Sequence, residues 1–524
     1  MPKTQKPFYI TTTLPYVNAE PHIGHALEFI RADIIARSKR LAGYDIFFNT
    51  GTDEHGIKVY QKAKQLDLEP QIYVDRMAEK FKEILPLLGI SPDINFIRTT
   101  DPRHIAAAQE FWNVVKKNGY IYKKNYSVKY CVGCELNKTE SELTNGRCPL
   151  HPLQELEIID EENYFFKFSA FQKQLLELYE KNPNFVIPSS RLNEIRTFVE
   201  QGLEDFSISR LASKMPWGIP VPDDSNHVMY VWFDALVNYI SAIGWSSAVP
   251  GADTSRSEAP SGACVQASRS DSVGDGHGVV GGDTFKKWWN ETGGVVQYCG
   301  KDNLRQQAAM WQAMLMAAGL TPSKTIIIDG FVTGEGGIKM SKSLGNTVDP
   351  LELVREYGTD AVRYYVVREL SPFEDSPFTI EKFKDAYNAH LANGLGNLVS
   401  RVMKMATGND VNFKKDLVEN INESSDIEEA RREYEKSFEE FNIQHAVNAI
   451  WDIISKTDAI VQERAPFKKI KIDKAGAEKD IEELLARLHI IGTMLLPIMP
   501  KTAEQIIDLV ENGEMPETPL FARK

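Results

Sequence analysis

The stretch His22-Ile23-Gly24-His25 constrains this chain more than any other, because it sets an anion-attracting helix end directly behind a β-prone run. Phe8-Tyr9-Ile10-Thr11-Thr12-Thr13 precedes it, and a loop bounded by prolines runs from Leu14 to Pro21. Ile23, Ala26, Leu27, Ile30, Ile34 and Ile35 then recur at helical spacing, so one helix face packs on a sheet while the histidines stand at the N-terminus. Unpaired N–H groups and the helix dipole favour phosphate there, and Gly24 leaves room for a nucleotide against the backbone. The two imidazoles add donors for charge that grows on a phosphate. Far downstream, Lys339-Met340-Ser341-Lys342-Ser343 follows the buried-strand run Ile326-Ile327-Ile328 and the glycine-rich Gly334-Glu335-Gly336-Gly337. Lysines on a loop suit a site that closes on a triphosphate and later releases pyrophosphate. The two motifs read as two walls of one ATP site in an α/β fold.

With 524 residues the chain has material for several domains. Residues 1–117 alternate strand and helix signals as a nucleotide-binding half, 118–225 interrupt it, and 226–350 supply the second half. The ligand crevice is expected where the halves meet, at the carboxyl ends of parallel strands. Residues 351–385 read as a linking stem-contact region. Helical periodicity takes over from Asp360: Val362, Tyr365 and Val366, then Leu395, Leu398, Val402 and Met405, and finally Leu485, Leu488, Ile491 and Leu495 predict a helical bundle over 386–524. Residues 246–282 are rich in Ser, Gly, Ala and Asp and read as a flexible surface insertion.

A net charge of −13 gives no overall nucleic-acid signature, so RNA would have to find local basic patches, with an affinity that falls with salt. No apolar leader or membrane-length run is present. Of five cysteines, Cys131, Cys134 and Cys148 cluster with His151 as two close pairs. Three thiolates and an imidazole suit tetrahedral zinc, and four protein ligands leave no open position, so the metal would be structural. Clustered thiols argue against a disulfide scaffold and for a reducing, cytoplasmic compartment. Cys299, at a strand end, reads as a small buried hydrophobe.

The histidine and lysine motifs together resemble the signature of class I aminoacyl-tRNA synthetases. Leu14-Pro15-Tyr16-Val17-Asn18-Ala19-Glu20-Pro21, Thr50-Gly51-Thr52-Asp53-Glu54-His55-Gly56 and Tyr230-Val231-Trp232-Phe233-Asp234-Ala235-Leu236 narrow the resemblance to the methionyl-tRNA synthetase family. It implies a Rossmann-like catalytic domain, a zinc-knuckle connective insertion and a C-terminal helical anticodon-binding bundle. It implies further that His22, His25, Lys339 and Lys342 are catalytic. Gly24, Lys301, Asp302, Met340, Ser341 and Ser343 would border ATP, which carries Mg2+. Asp53 would hold the methionine ammonium, and Leu14, Tyr16, Trp232, Ala235, Tyr239 and Gln307 would line the side-chain pocket. Gln307 stands where a histidine is usual and Asn303 where an apolar residue is, so this wall is expected to be more polar or differently packed. Asn397, Arg401 and Phe467 would read the anticodon of tRNA(Met), Phe467 replacing the usual tryptophan. The small insertion leaves no room for a separate editing site, and the chain stops soon after the bundle, which suggests a monomer. Two other readings stay open: a class I ligase for another amino acid or acceptor, and an inactive RNA-binding paralogue.

Overall fold

The computed structural model describes residues 5–134, 136–138, 142–245, 281–337, 348–422 and 424–524. The lysine motif and nearly all of the 246–282 stretch therefore lie outside the described residues.

Six strands build the central sheet: β1 (Pro7–Thr12), β2 (Asp45–Thr52), β3 (Asn95–Arg98), β4 (Val186–Ile187), β5 (Val296–Gly300) and β6 (Thr325–Asp329). Their spatial order is β3-β2-β1-β5-β6-β4, and every neighbouring pair is parallel. Such a sheet is covered on both faces, and its side chains alternate between two cores. Phe8, Ile10, Val296, Tyr298 and Ile327 join one core; Tyr9, Cys299, Ile326 and Ile328 join the other. Cys299 is indeed a small buried side chain, 1% exposed. The chain leaves β1 toward β2 on one side while β5 pairs on the other, so the switch in strand order opens a crevice beside the end of β1.

The helix predicted at the histidine motif is α1 (Ile23–Leu41), and all six of its expected apolar positions are buried. The opposite face is buried as well, which the apolar spacing does not show. Arg31 pairs with Asp329 and donates to the carbonyls of Val366 at 2.8 Å and Leu370 at 2.7 Å. Asp33 pairs with Arg363 at 2.8 Å, both side chains fully buried. Arg363 also donates to the carbonyls of Ile498 at 2.7 Å and Pro497 at 3.0 Å, so one guanidinium ties the sheet helix to the C-terminal bundle. In sequence these charges look like a solvated face; they are buried because β6 supplies Asp329 to Arg31 from 298 residues away and the helix Thr359–Arg368 supplies Arg363 to Asp33 from 330 residues away.

The stretch 118–225 is not wholly an interruption. Val186–Ile187 pairs with β6 through Val186↔Ile326 and Ile187↔Ile327 and so forms an edge of the central sheet. Two residues before a proline carry no readable alternation, hence no strand signal. The remainder holds a long antiparallel pair, Ile121–Cys131 with Glu157–Phe166, running from Ile121↔Phe166 to Tyr130↔Glu157.

Beyond residue 386 the described chain is helical, including Asn397–Thr407, Ile443–Arg464, Lys474–Leu495 and Pro500–Asn512. Every apolar position read there is buried.

Candidate functional site

Both motif histidines are bound into the N-terminus of α1. His22 is the cap residue, and its Nδ1 accepts the Gly24 N–H at 3.1 Å. His25 Nδ1 accepts the His22 N–H at 3.3 Å, completing a reciprocal capping box. The rings stack with centroids 3.8 Å apart. Because each Nδ1 accepts, a neutral ring carries its proton on Nε2, which makes both Nε2–H groups donors. A Cβ on Gly24 would lie 3.0 Å from His22 Cε1, so the glycine makes room for the capping ring as well as for a ligand.

These histidines line a cavity of about 530 Å³ at the carboxyl ends of β1, β2, β5 and β6. Leu14, Tyr16, Gly24, Asp53, Trp232, Ala235, Tyr239, Asp302 and Gln307 line it too, so residues named from scattered sequence blocks meet in one space. Lys301 is not among the lining residues; it pairs with Asp375 at 2.7 Å and lies over the Phe331 ring. Lys339, Met340, Ser341, Lys342 and Ser343 lie outside the described residues.

The loop after β2 is fixed by backbone and side chain alike. Asp53 N–H donates to Pro15 O at 2.9 Å and Val17 N–H to Asp53 O at 3.1 Å, locking Asp53 beside the loop that bears Leu14 and Tyr16. Its neighbour Glu54 is fully buried and accepts from Arg98 at 2.7 and 2.9 Å and from Thr52 at 2.6 Å. His55 Nδ1 meets Asp234 Oδ2 at 2.7 Å, and His104 Nε2 meets Asp234 Oδ1 at 2.9 Å. Burial alone would raise the Asp234 carboxyl; the two imidazoles outweigh it and hold it below its ordinary value. This buried His–Asp–His bridge joins the Asp53 loop to the short helix Val231–Leu236, which carries Trp232 and Ala235. The bridge carries no sequence signature, because three single residues on separate elements share no spacing.

The wall opposite is amide-rich. After β5 the 3-10 turn Lys301–Asn303 brings Asn303 to the cavity, and the wide π-helical turn Gln306–Met310 brings Gln306 and Gln307. Gln307 is 1% exposed, donates from Nε2 to Tyr239 Oη at 2.7 Å, and accepts from Gln297 Nε2 at 2.6 Å. The expected polarity of this wall is therefore present, with the Gln307 carboxamide hydrogen-bonded at both ends.

At the tip of the insertion, one donor atom from each of Cys131, Cys134, Cys148 and His151 lies within 4.8 Å of the others, a group that could hold a metal ion. Cys134 Sγ is 3.4 Å from Cys148 Sγ and 3.3 Å from His151 Nδ1, which in turn is 3.7 Å from Cys131 Sγ. Gly133 is required there, since a Cβ would fall 2.4 Å from His151 Cγ. Lys58 donates to the Gly133 carbonyl at 2.8 Å, and Gly133, Cys134 and His151 reach the cavity rim.

In the bundle, Asn397 and Arg401 stand one turn apart on Asn397–Thr407. Asn397 is exposed, and Arg401 is ion-paired with Asp458 at 2.6 Å. Asp458 lies on Ile443–Arg464, the helix that leads through left-handed Ala465 into Pro466 and the exposed ring of Phe467.

A parallel sheet whose switch-point crevice receives two histidines from a helix N-terminus, with a helical bundle behind it, is the arrangement of class I tRNA synthetases. A family profile described as tRNA synthetases class I (M) matches residues 8–155 and 141–403, and one described as the anticodon binding domain of methionyl tRNA ligase matches 414–518. The methionine–tRNA ligase of Synechocystis sp. is 39% identical over 510 residues, covering 95% of this chain and 88% of its own length. That of Thermotoga maritima is 37% identical, covering 97% of this chain and 76% of its own. The structure of Mycobacterium tuberculosis methionyl-tRNA synthetase in complex with methionyl-adenylate superposes with a TM-score of 0.83 at 32% identity, covering 99% of this chain and 100% of that one. The chain belongs to the methionyl-tRNA synthetase family.

Proposed function

We propose that this chain ligates L-methionine to tRNA(Met) in two ATP-driven steps, through a methionyl-adenylate, releasing pyrophosphate and then AMP. The observation that carries the reading is the convergence of His22, His25, Asp53, Trp232, Tyr239 and Asp302 on one crevice at the strand ends. Asp53 holds the ammonium of methionine, and Leu14, Tyr16, Trp232, Ala235, Tyr239 and Gln307 surround its side chain. The methionine carboxylate attacks the α-phosphorus of ATP in line, and the Nε2–H groups of His22 and His25 donate to the phosphate oxygens as charge accumulates. Gly24, Lys301, Asp302, Met340, Ser341 and Ser343 border the nucleotide, and Lys339 and Lys342 receive the pyrophosphate, which leaves with the Mg2+ that ATP brings. A terminal ribose hydroxyl of the tRNA then attacks the adenylate carbonyl. No protein nucleophile enters either step. ATP–pyrophosphate exchange against a panel of amino acids tests the reading: methionine alone should support fast exchange. Fast exchange with a different amino acid indicates another class I ligase, and none with any indicates a binding paralogue.

Zinc fits the four-residue knuckle. Ligands at about 2.0–2.3 Å from a tetrahedral zinc lie about 3.3–3.8 Å apart, close to the separations among these sulfur and nitrogen atoms. When bound, the ion would supply structure, holding Gly133 and His151 at the cavity rim. The Cys148→Ser variant should lose its metal by elemental analysis and slow exchange about tenfold; full activity without metal would contradict this role.

Asn397, Arg401 and Phe467 meet the anticodon, with Arg401 already oriented by Asp458. The Arg401→Ala variant should lower kcat/KM for tRNA charging about 10- to 100-fold while exchange stays unchanged. Equal loss in both assays would instead mark a folding defect. Free thiols suit the reducing cytoplasm, and no helix among the described residues is long and apolar enough to cross a membrane.

A further inference from the structure

The floor of the crevice at the ends of β5 and β6 is held from outside by a segment that lies in none of the motifs. Gly330, Phe331 and Val332 line the cavity just after β6, and Asp302 lines it just after β5. Residues 372–378, which follow the helix Thr359–Arg368, run along the first of these groups. Gly330 N–H donates to Pro372 O at 3.2 Å, Ser376 N–H to Phe331 O at 2.9 Å and Phe378 N–H to Thr333 O at 2.8 Å. Val332–Thr333 pairs in parallel with Ser376–Pro377, and a Cβ on Gly330 would fall 2.2 Å from Glu374 O. Asp375 extends this strap to the second group. Its Oδ1 accepts the Phe331 N–H at 3.0 Å, and both of its oxygens accept from Lys301 Nζ at 2.7 Å. Lys301 adjoins Asp302 in the chain, and its ammonium lies 4.4 Å from the centre of the Phe331 ring.

Burial alone would raise the Asp375 carboxyl, but Lys301 and the Phe331 N–H hold it below its ordinary value, so it is charged at neutral pH. The Lys301 side chain is 24% exposed and that of Asp375 42%, and an ion pair so open to water adds little to folding stability. What the pair does fix is relative position, because one carboxylate engages the chain after β5 and the chain after β6 together. We propose that Asp375 is a positioning residue for ATP: by gripping Lys301 and Phe331 it sets Asp302 and the Gly330–Val332 floor at the spacing the nucleotide requires. The inference rests on the reading of the crevice as an ATP site and is independent of which amino acid is activated. Lys301 then acts beside the nucleotide through Asp375, without touching a phosphate.

The test is a double-variant cycle read by the calorimetric Kd for ATP and by KM for ATP and for methionine in ATP–pyrophosphate exchange. Asp375→Leu and Lys301→Met should each weaken ATP about three- to tenfold, while KM for methionine changes less than about twofold and the thermal midpoint stays close to wild type. The two substitutions together should weaken ATP no more than the worse single one, since both break the same contact. Lys301→Arg should stay within about twofold of wild type, because a guanidinium meets a carboxylate with two parallel bonds. Losses that multiply in the double variant would mean that Lys301 meets the nucleotide itself and would overturn the latch. Unchanged ATP affinity in the single variants, or equal losses for ATP and methionine, would overturn it too. A wild-type chain that binds ATP but supports no exchange with methionine would fail the functional reading instead, and the ATP affinities of the variants would still decide the role of Asp375.

Discussion

Exchanging His22 for asparagine leaves the fold intact and slows adenylate formation by about 10²- to 10³-fold. The substitution separates two tasks that the imidazole performs. His22 Nδ1 caps α1 by accepting the Gly24 N–H, and asparagine is among the best residues for that acceptance. What asparagine lacks is the Nε2–H held beyond the cap, toward the strand-end crevice. The thermal midpoint should therefore stay close to wild type, and KM for methionine should change little, while the exchange rate falls. His22→Ala removes cap and donor together and should add about 1 kcal/mol of destabilisation to the same rate loss. Wild-type exchange in the asparagine variant would reduce the motif histidine to a helix cap.

Replacing Arg363 by methionine should destabilise the chain by about 3–5 kcal/mol, because it strips the charge partner from a buried carboxylate and the donors from several carbonyls. Asp33 then keeps Arg37 at 2.8 Å and the Ser91 N–H and hydroxyl at 2.8 and 2.6 Å. The pH dependence carries a definite sign. In the native chain burial pushes the Asp33 carboxyl up, but Arg363 and Arg37 overcome it and hold the group below its ordinary value. A depressed native value means the stabilisation is full above the ordinary carboxylate pKa of about 3.9 and is lost as pH falls through the lower, native one. Without Arg363 the burial contribution dominates and the carboxyl moves up. The difference between variant and wild type should thus be largest near neutral pH and shrink on acidification. Denaturant unfolding at two pH values measures it, and a difference independent of pH would contradict the account.

Local chemistry made part of this molecule legible in the sequence. Strand, proline-bounded loop and capped helix follow one another within residues 7–41, so spacing alone locates α1 and its histidines. The Cys131, Cys134, Cys148 and His151 pairs are close in sequence, and they come together in space for the same reason. The helical bundle was readable because each helix is long enough to repeat its apolar stripe. What stayed hidden depends on partners far along the chain. Arg31, Asp33 and Arg363 look solvated until β6 and the helix Thr359–Arg368 meet α1. Glu54, His55, His104 and Asp234 are single polar residues whose meaning lies in mutual distance. Gln297 sits in a strand where alternation predicts only an inward side chain, and its donation to Gln307 depends on the wide turn Gln306–Met310. The placement of Asp53, Trp232 and Tyr239 around one cavity was anticipated from the family resemblance, not from periodicity.

The proposed function joins the crevice and the bundle on one substrate pair, methionine and tRNA(Met). Incubating the chain with labelled methionine, ATP, Mg2+ and a tRNA(Met) transcript, then measuring acid-precipitable label, tests it most directly. Label should accumulate on the 3′ end to near stoichiometry, require ATP, and fall sharply when the anticodon is replaced. Methionine-dependent exchange with no ester on the tRNA, or charging that ignores the anticodon, would contradict the account.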